Sequence, residues 1–340
     1  MSQTLGERLA EKLGEATFRK TADLGLENAR RNLPRLGRTI ADLKQDPPAL
    51  ADPDSAIVVC AGPSLHHRRS IDRIRDSGFG GAIVAVDGSL GHCLRAGLVP
   101  HYVLTLDPHP DRIVRWFGDP RLEERAEDDY FRRQDLDSAM ADDERRRNRE
   151  MIELVNRHGA DMRAVAATCI DPGVAARCEE AGLPLYWWNP ICDDPAEPAG
   201  VTRALHRLNR APCMVTGGNC GTAAWILAHS VLGKRRVALV GMDLGYRPGT
   251  PLLRTQYYYE LQELLGDRVA DAYIPISNPH LGEEWYTDPT YWWYRSIFLT
   301  LAREAPCRTY NCTEGGTVFG EGIEFTPLEA FLDARTPAPA

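Results

Sequence analysis

The apolar run Ala56-Ile57-Val58-Val59-Cys60-Ala61 stops abruptly at Gly62-Pro63-Ser64, and this junction constrains the fold more than any other stretch of the chain. A short, β-branched run with no polar alternation reads as a strand buried on both faces, and such strands belong to parallel sheets. The Gly-Pro-Ser corner then opens a helix. Its first turn presents unpaired backbone N–H groups and the positive end of a dipole, which Ser64 either caps or shares with a phosphate. The first strand is therefore expected to end in an anion site suited to a nucleotide phosphate.

The same signals recur downstream. Residues 82–86, 102–106, 162–167, 185–188 and 237–240 read as strands, and 64–77, 88–96, 172–181 and 217–231 as helices. This alternation predicts an α/β, doubly wound, mostly parallel sheet of Rossmann-like type. Residues 1–50 read as a helical N-terminal extension that packs on the main domain or on a second copy of the chain, giving a homo-oligomer. Residues 51–330 form the nucleotide-binding domain, and 331–340 a disordered tail. Two segments interrupt the domain: the charged stretch 118–150 and the aromatic-rich stretch 255–298. The first reads as a solvated helical insertion, or as a lid whose Arg145-Arg146-Arg147 reach an anionic ligand.

Composition narrows the function classes. A net charge of −8 over 340 residues argues against a nucleic-acid partner. No apolar run approaches the roughly 20 residues needed to span a bilayer, and the first residues lack a secretion-signal pattern, so the expected location is cytoplasmic. The nine cysteines include no Cys-x-x-Cys pair, which argues for buried thiols rather than a structural zinc site.

Four loops follow predicted strand ends: Gly62-Pro63-Ser64, Asp87-Gly88-Ser89, Asp107-Pro108-His109-Pro110-Asp111 and Gly241-Met242-Asp243. In a doubly wound sheet these gather at one edge, where ligands bind. Each aspartate alone also fits a helix cap or turn; together they point to a site. Asp107, His109 and Asp111 alternate, so an extended backbone places them on one side, able to hold Mg²⁺ or Mn²⁺ against a diphosphate; a Pro-rich surface turn is the competing reading. Gly217-Gly218-Asn219 opens a further helix and fits a second phosphate or a ribose, or a plain tight turn. His280 is the candidate general base, Tyr257, Tyr258, Tyr259, Trp285, Tyr286, Trp292 and Trp293 a candidate pocket wall or ordinary packing, and Glu314 a candidate for closing the site. No Walker A loop and no G-x-G-x-x-G follows the first strand.

Taken in order, Ala61-Gly62-Pro63-Ser64-Leu65, Ala85-Val86-Asp87-Gly88, Gly97-Leu98-Val99-Pro100, Thr105-Leu106-Asp107-Pro108, Thr216-Gly217-Gly218-Asn219, Val240-Gly241-Met242-Asp243-Leu244 and Asn311-Cys312-Thr313-Glu314-Gly315-Gly316 resemble the MptE-like (DUF115) domain family. The long helical N-terminus and the Asn311–Gly316 block look more like its motility-associated factor (Maf) glycosyltransferase branch. The resemblance implies a sialyltransferase-like variant of the GT-A fold and a CMP-activated nonulosonic sugar donor, with flagellin glycosylation as the setting. On that reading Gly62, Pro63 and Ser64 hold the donor phosphate, Asp87 and Gly88 the nucleoside, and Asp107 lies near ribose, phosphate or metal. Asp243 faces the sugar or metal, and His280 deprotonates an acceptor hydroxyl of a sugar or protein. The asparagine that sialyltransferases carry between Ala and Gly of this turn is absent, Ala61 meeting Gly62 directly.

The other activity of that family is 6-hydroxymethyl-dihydropterin diphosphokinase, which uses ATP and Mg²⁺ on a pterin acceptor. A non-catalytic nucleotide-sensing module is the third reading.

Overall fold

The computed structural model describes residues 3–124 and 141–334. Nine parallel strands form one sheet in the order β11-β10-β7-β1-β2-β3-β4-β5-β6. In chain order these are β1 (Ser55–Val59), β2 (Ala82–Val86), β3 (Tyr102–Thr105), β4 (Arg163–Ala167), β5 (Leu185–Ile191), β6 (Cys213–Val215), β7 (Arg236–Val240), β10 (Arg308–Asn311) and β11 (Ile323–Phe325). A separate antiparallel hairpin, β8 (Ile274–Asn278) with β9 (Glu283–Thr287), lies in the aromatic-rich excursion. The chain runs outward from β1 to β6, then returns to place β7 on the other side of β1, with Val59 opposite Val240. Strand order therefore reverses between β1 and β7, where doubly wound sheets open their ligand crevice.

Every residue of β1 and β2 is buried, as a central strand with both faces covered requires. Side chains alternate between two layers. Ile57, Val59, Ala238 and Val240 pack with Ile71 and Ile74 of α3 (Ser70–Ser77), Tyr310, and Phe331 of a short C-terminal helix (Leu328–Asp333). Ala56, Val58, Val237 and Leu239 face the opposite layer, with Trp225 and Phe298. Residues 331–333, expected to lie in the disordered tail, belong instead to the C-terminal helix: Phe331 is buried, its ring centroid 5.1 Å from that of Tyr310.

The N-terminal extension is part of this core. α1 (Leu5–Asn32) opens on a capping box of Thr4 and Glu7. It closes on two fully buried asparagines. The Asn28 side-chain amide donates to the carbonyls of Pro108 (2.9 Å) and Cys169 (3.1 Å), and that of Asn32 to Thr168 (3.0 Å) and Ile170 (2.9 Å). Both amides therefore satisfy carbonyls just beyond β3 and β4, fastening the helix across the sheet's C-terminal edge. Ile40 and Leu43 then enter the main core.

Two local expectations change. The helix expected over 64–77 is two pieces, α2 (Ser64–His67) and α3, separated by Arg69 at φ 50°. The charged insertion continues into α6 (Ala141–His158), between α5 (Pro110–Trp116) and α7 (Pro172–Glu180) in chain order; its Met151 and Val155 are buried in the core. Residues 125–140 of that insertion, and 335–340 of the tail, lie outside the described residues. No helix among the described residues is long and apolar enough to cross a membrane.

Replacing Asn32 by Ala removes a buried amide and leaves two carbonyls without its hydrogen bonds. The expected loss is about 1–3 kcal/mol, read as a lower denaturant midpoint at unchanged slope; an unshifted midpoint contradicts the fastening role.

Candidate functional site

The strand ends converge on a cleft of about 2290 Å³ whose walls include Gly62, Pro63, Ser64, Asp87, Gly88, Asp107, Gly217, Gly218, Asn219 and Asp243. At its floor, β1 and β7 are joined beyond their last residues: the Gly62 N–H donates to the Gly241 carbonyl at 2.8 Å. The adjoining Asp243 carboxylate reaches across. Its Oδ2 accepts the Ser64 hydroxyl at 2.7 Å and the Ser64 backbone N–H at 3.2 Å. A Cβ at Gly62 would overlap that carboxylate and the Gly241 carbonyl, so only glycine allows the approach.

This changes the reading of the corner. Pro63 occupies the cap position of α2 with no side-chain cap, and α2 is a single turn. Both donors of Ser64 go to a protein carboxylate rather than remaining available to a phosphate. Asp243 itself is buried, and Oδ1 has no hydrogen-bond partner. Burial pushes its pKa up to about 6, against the opposing pull of the Ser64 hydrogen bonds. Behind it, the Thr317 N–H and hydroxyl hold the Asp243 carbonyl at 2.8 and 3.2 Å. Leu244 follows at φ 43°, a conformation that costs a non-glycine residue free energy.

The other strand-end loops reach the cleft by different routes. Asp87 starts α4 (Asp87–Arg95) and accepts the Gly88 N–H at 2.7 Å. Asp107 accepts the His109 N–H at 2.9 Å, closing a turn. The extended alternation expected for Asp107, His109 and Asp111 fails because α5 starts at Pro110, and His109 does not line the cleft. The Asp111 side chain lies outside the described residues. Among the described residues no three His, Cys, Asp or Glu side chains gather to hold a metal. Asp107 lines the cleft and His109 does not, so the two do not face it together as the alternation implied.

Gly217 (φ 61°) and Gly218 (φ 83°) turn the chain into α9 (Cys220–Ile226), capped by Asn219, whose Oδ1 accepts the Thr222 N–H at 2.9 Å. A Cβ at Gly218 would lie 2.8 Å from the Trp293 ring. The aromatic excursion thus divides. Tyr257, Trp285 and Trp293 line the cleft together with Tyr246, Tyr291 and Tyr294. Tyr258, Tyr259, Tyr286 and Trp292 do not, and Tyr259 is exposed. Tyr246 is fixed by donating to Asp288 at 2.6 Å, while Asp288 caps α11 (Pro289–Glu304) through the Tyr291 N–H at 2.9 Å.

Two expected site residues lie elsewhere. His280 sits at the exposed turn between β8 and β9, stacked on Phe325 at 4.5 Å between centroids, and does not line the cleft. The hairpin turns its loop outward, so His280 cannot serve as the base there. Glu314 makes a two-pronged ion pair with Arg73 (2.7 and 3.2 Å) and accepts the Leu328 N–H at 2.8 Å. It ties α3 to the C-terminal helix. Burial pushes its pKa up, but Arg73 and that N–H more than offset this and leave it below the usual range.

Sequence reasoning missed that basic side chains line much of the cleft, among them His66, His92, Arg95, Arg147, Arg247 and Arg254. These residues are far apart in the chain and the overall charge is acidic. The only legible sign was the arginine run at 145–147.

Comparison with known proteins bears on the fold and on one segment. Residues 26–115 match the family described as "6-hydroxymethylpterin diphosphokinase MptE-like". A solved structure, that of MAf glycosyltransferase from Magnetospirillum magneticum AMB-1, superposes with a TM-score of 0.55 at 15% identity over 93% of this chain. The match covers 39% of that protein's chain. No curated protein matches. The resemblance to MptE-like and Maf proteins is thus met on both sides, and the α/β architecture is shared with the Maf structure.

The raised pKa of Asp243 has a thermodynamic consequence. The folded protein binds this proton more tightly than the unfolded chain, so the group destabilises the fold as pH rises from its ordinary 3.8 through about 6. Asp243→Asn should therefore stabilise the protein at neutral pH, by up to roughly 3 kcal/mol for a shift of about two units. The gain should vanish below the ordinary carboxylate range. Denaturant titrations at both pH values check this; equal midpoints for the two proteins at neutral pH contradict it.

Proposed function

We propose that the chain is a transferase acting on a nucleotide-activated donor, with Asp243 taking the proton from the acceptor hydroxyl. The observation that carries this is Asp243 itself. It is a buried carboxylate at the β1/β7 reversal, on the cleft wall, with one oxygen fixed by Ser64 and the other unpartnered. A base with a pKa of about 6 is mostly ionised at neutral pH yet basic enough to accept a proton as the acceptor oxygen attacks. Ser64 positions it. It replaces His280 in the role expected from the sequence.

The cleft is large enough for a nucleotide-sugar and an acceptor together, since single small-molecule sites occupy about 300–1,000 Å³. On this reading the nucleoside lies along Asp87–Gly88 and Gly217–Asn219, and the sugar lies toward the aromatic wall of Tyr246, Trp285 and Trp293. Asp107, just beyond β3, lines the same cleft. A CMP-activated acidic sugar is the donor that fits the Maf likeness. Departure of the nucleotide places negative charge on its phosphate, which the surrounding cations stabilise.

A second reading, diphosphate transfer from ATP to a pterin alcohol, is favoured by the family described for residues 26–115, which contain Asp87 and Asp107. Calorimetry on the full chain separates the two. CMP binding without Mg²⁺ supports the first, and ATP binding that requires Mg²⁺ supports the second.

Asp243→Asn should keep nucleotide affinity within about threefold while transfer falls by a factor of at least ~10². In the unsubstituted protein the rate should drop on the acid side with a midpoint near the Asp243 value of about 6. Ser64→Ala removes a hydrogen bond that favours the carboxylate, so the acid limb should move to higher pH. A variant Asp243→Asn with near-normal transfer removes this residue from the chemistry.

A further inference from the structure

Asp243 lines the cleft, yet its free oxygen is closed to water: Oδ1 is shielded from solvent and has no hydrogen-bond partner. What closes it is visible at Gly315. A Cβ on that residue would stand 3.2 Å from Cη2 of the Trp285 indole, 3.4 Å from Cβ of Ser64 and 3.5 Å from Asp243 Oδ1. The indole edge, the Ser64 methylene and the free oxygen therefore surround one point. It is bare because residue 315 has no side chain, and a single small group placed there meets all three at contact distance.

The two covers differ in how firmly they are held. Gly315 sits between Glu314 at φ 52° and Gly316 at φ 76°, in a loop pinned on both flanks. Arg68 Nε donates to the Glu314 carbonyl at 3.0 Å, the Asn278 side-chain amide to the Gly316 carbonyl at 2.9 Å, and the Thr317 N–H to the Asp243 carbonyl at 2.8 Å. Trp285, on β9, is fastened at its indole N–H, which donates to Glu283 Oε2 at 3.0 Å. Glu283 is itself only half-buried and lines the cleft beside Glu284. Of the two covers the indole is the one able to leave, because the open cleft of about 2290 Å³ lies beside it while the loop is tied down by its backbone.

We propose that Trp285 is a gate over Asp243. With the gate shut, water does not reach Oδ1. An acceptor hydroxyl enters by displacing the indole edge, and its oxygen takes the point beside Gly315, next to Oδ1. The hydroxyl proton passes to Oδ1 as that oxygen bonds to the donor carbon; the bond from this carbon to the phosphate oxygen breaks, and its electron pair leaves with the nucleotide. Water admitted to the same point would undergo the same step and destroy the donor. A shut gate therefore protects the donor until an acceptor large enough to move an indole arrives. The chemical step rests on the transferase reading; the closure of Oδ1 does not.

The first test needs no ligand. In the full chain, the quantity read is the factor by which Asp243→Asn raises the folding equilibrium constant at about pH 7.5. With Oδ1 dry and Asp243 at about 6 against an ordinary 3.8, this factor should be about 10². Trp285→Phe keeps an apolar ring but withdraws the outer edge of the indole, so water reaches Oδ1 and the factor should fall at least about tenfold. Gly315→Ser places a hydroxyl at the point itself, where it donates to Oδ1, and should lower the factor likewise. The titratable groups on the surrounding elements are Cys60 after β1, His66 and His67 of α2, Glu283 and Glu284 of β9, and Glu314. They are common to every background, so their influence cancels in the comparison. A second test uses CMP-N-acetylneuraminate as donor with no acceptor present. Trp285→Phe should release CMP at least about tenfold faster than the unsubstituted chain and Gly315→Ser no faster, and adding Asp243→Asn should abolish the gain.

A factor near one in the unsubstituted chain overturns the gate, as does a factor that neither substitution lowers in proteins shown by circular dichroism to be folded. Measurable CMP release that is equal in the unsubstituted chain and in Trp285→Phe also overturns it. If the factors fall as stated while no form binds CMP or ATP, the gate stands and the transferase reading fails.

Discussion

The contact on which the site depends is the Asp243 carboxylate held against Ser64 across the reversal between β1 and β7. Two strands that lie side by side in the sheet need not keep their C-terminal loops together. Here the Gly62 N–H to Gly241 carbonyl bond joins the backbones, and the Ser64 hydroxyl and N–H then fix one oxygen of Asp243. Glycine at 62 is what permits the approach. The carboxylate is left buried with half of its hydrogen-bonding capacity unmet, a cost that a purely structural latch would avoid by using an asparagine or a serine. Such costs concentrate where function requires them.

Support for that contact comes from the far end of the chain. Thr313 and Thr317, from the loop after β10, hold the backbone of Met242, Asp243 and Leu244. At the opposite edge, Asn28 and Asn32 of α1 hold the loops after β3 and β4. The crevice is therefore framed by both termini, each supplying polar groups to loops the sheet alone would leave loose. The N-terminal helix is fastened by these amides in addition to apolar contacts such as buried Ala10 and Ala29.

Much of the sheet was legible in the sequence because buried parallel strands write themselves as short apolar runs. β2 has the expected limits, and the loops after β1, β2, β3 and β7 reach one cleft with α9's opening turn. What could not be read were pairings between residues far apart. Ser64 carries the signature of a helix cap, and nothing local says that Asp243 claims its hydroxyl first. The spacing of Asp107, His109 and Asp111 fits an extended strand end, but a proline that suits the first turn of a helix started α5 instead. His280 looked exposed to a crevice because its neighbours are polar; the β8–β9 hairpin turns it onto Phe325. The aromatic segment mixed wall and packing residues that share one composition, and only the fold sorts them.

The cleft carries charge of both signs: Asp87, Asp107 and Asp243 line it together with His66, His92, Arg95 and Arg247. Asp243, buried at the β1/β7 end, disfavours an anion beside it when ionised, while the imidazoles and guanidiniums of α2, α4 and α6 favour one.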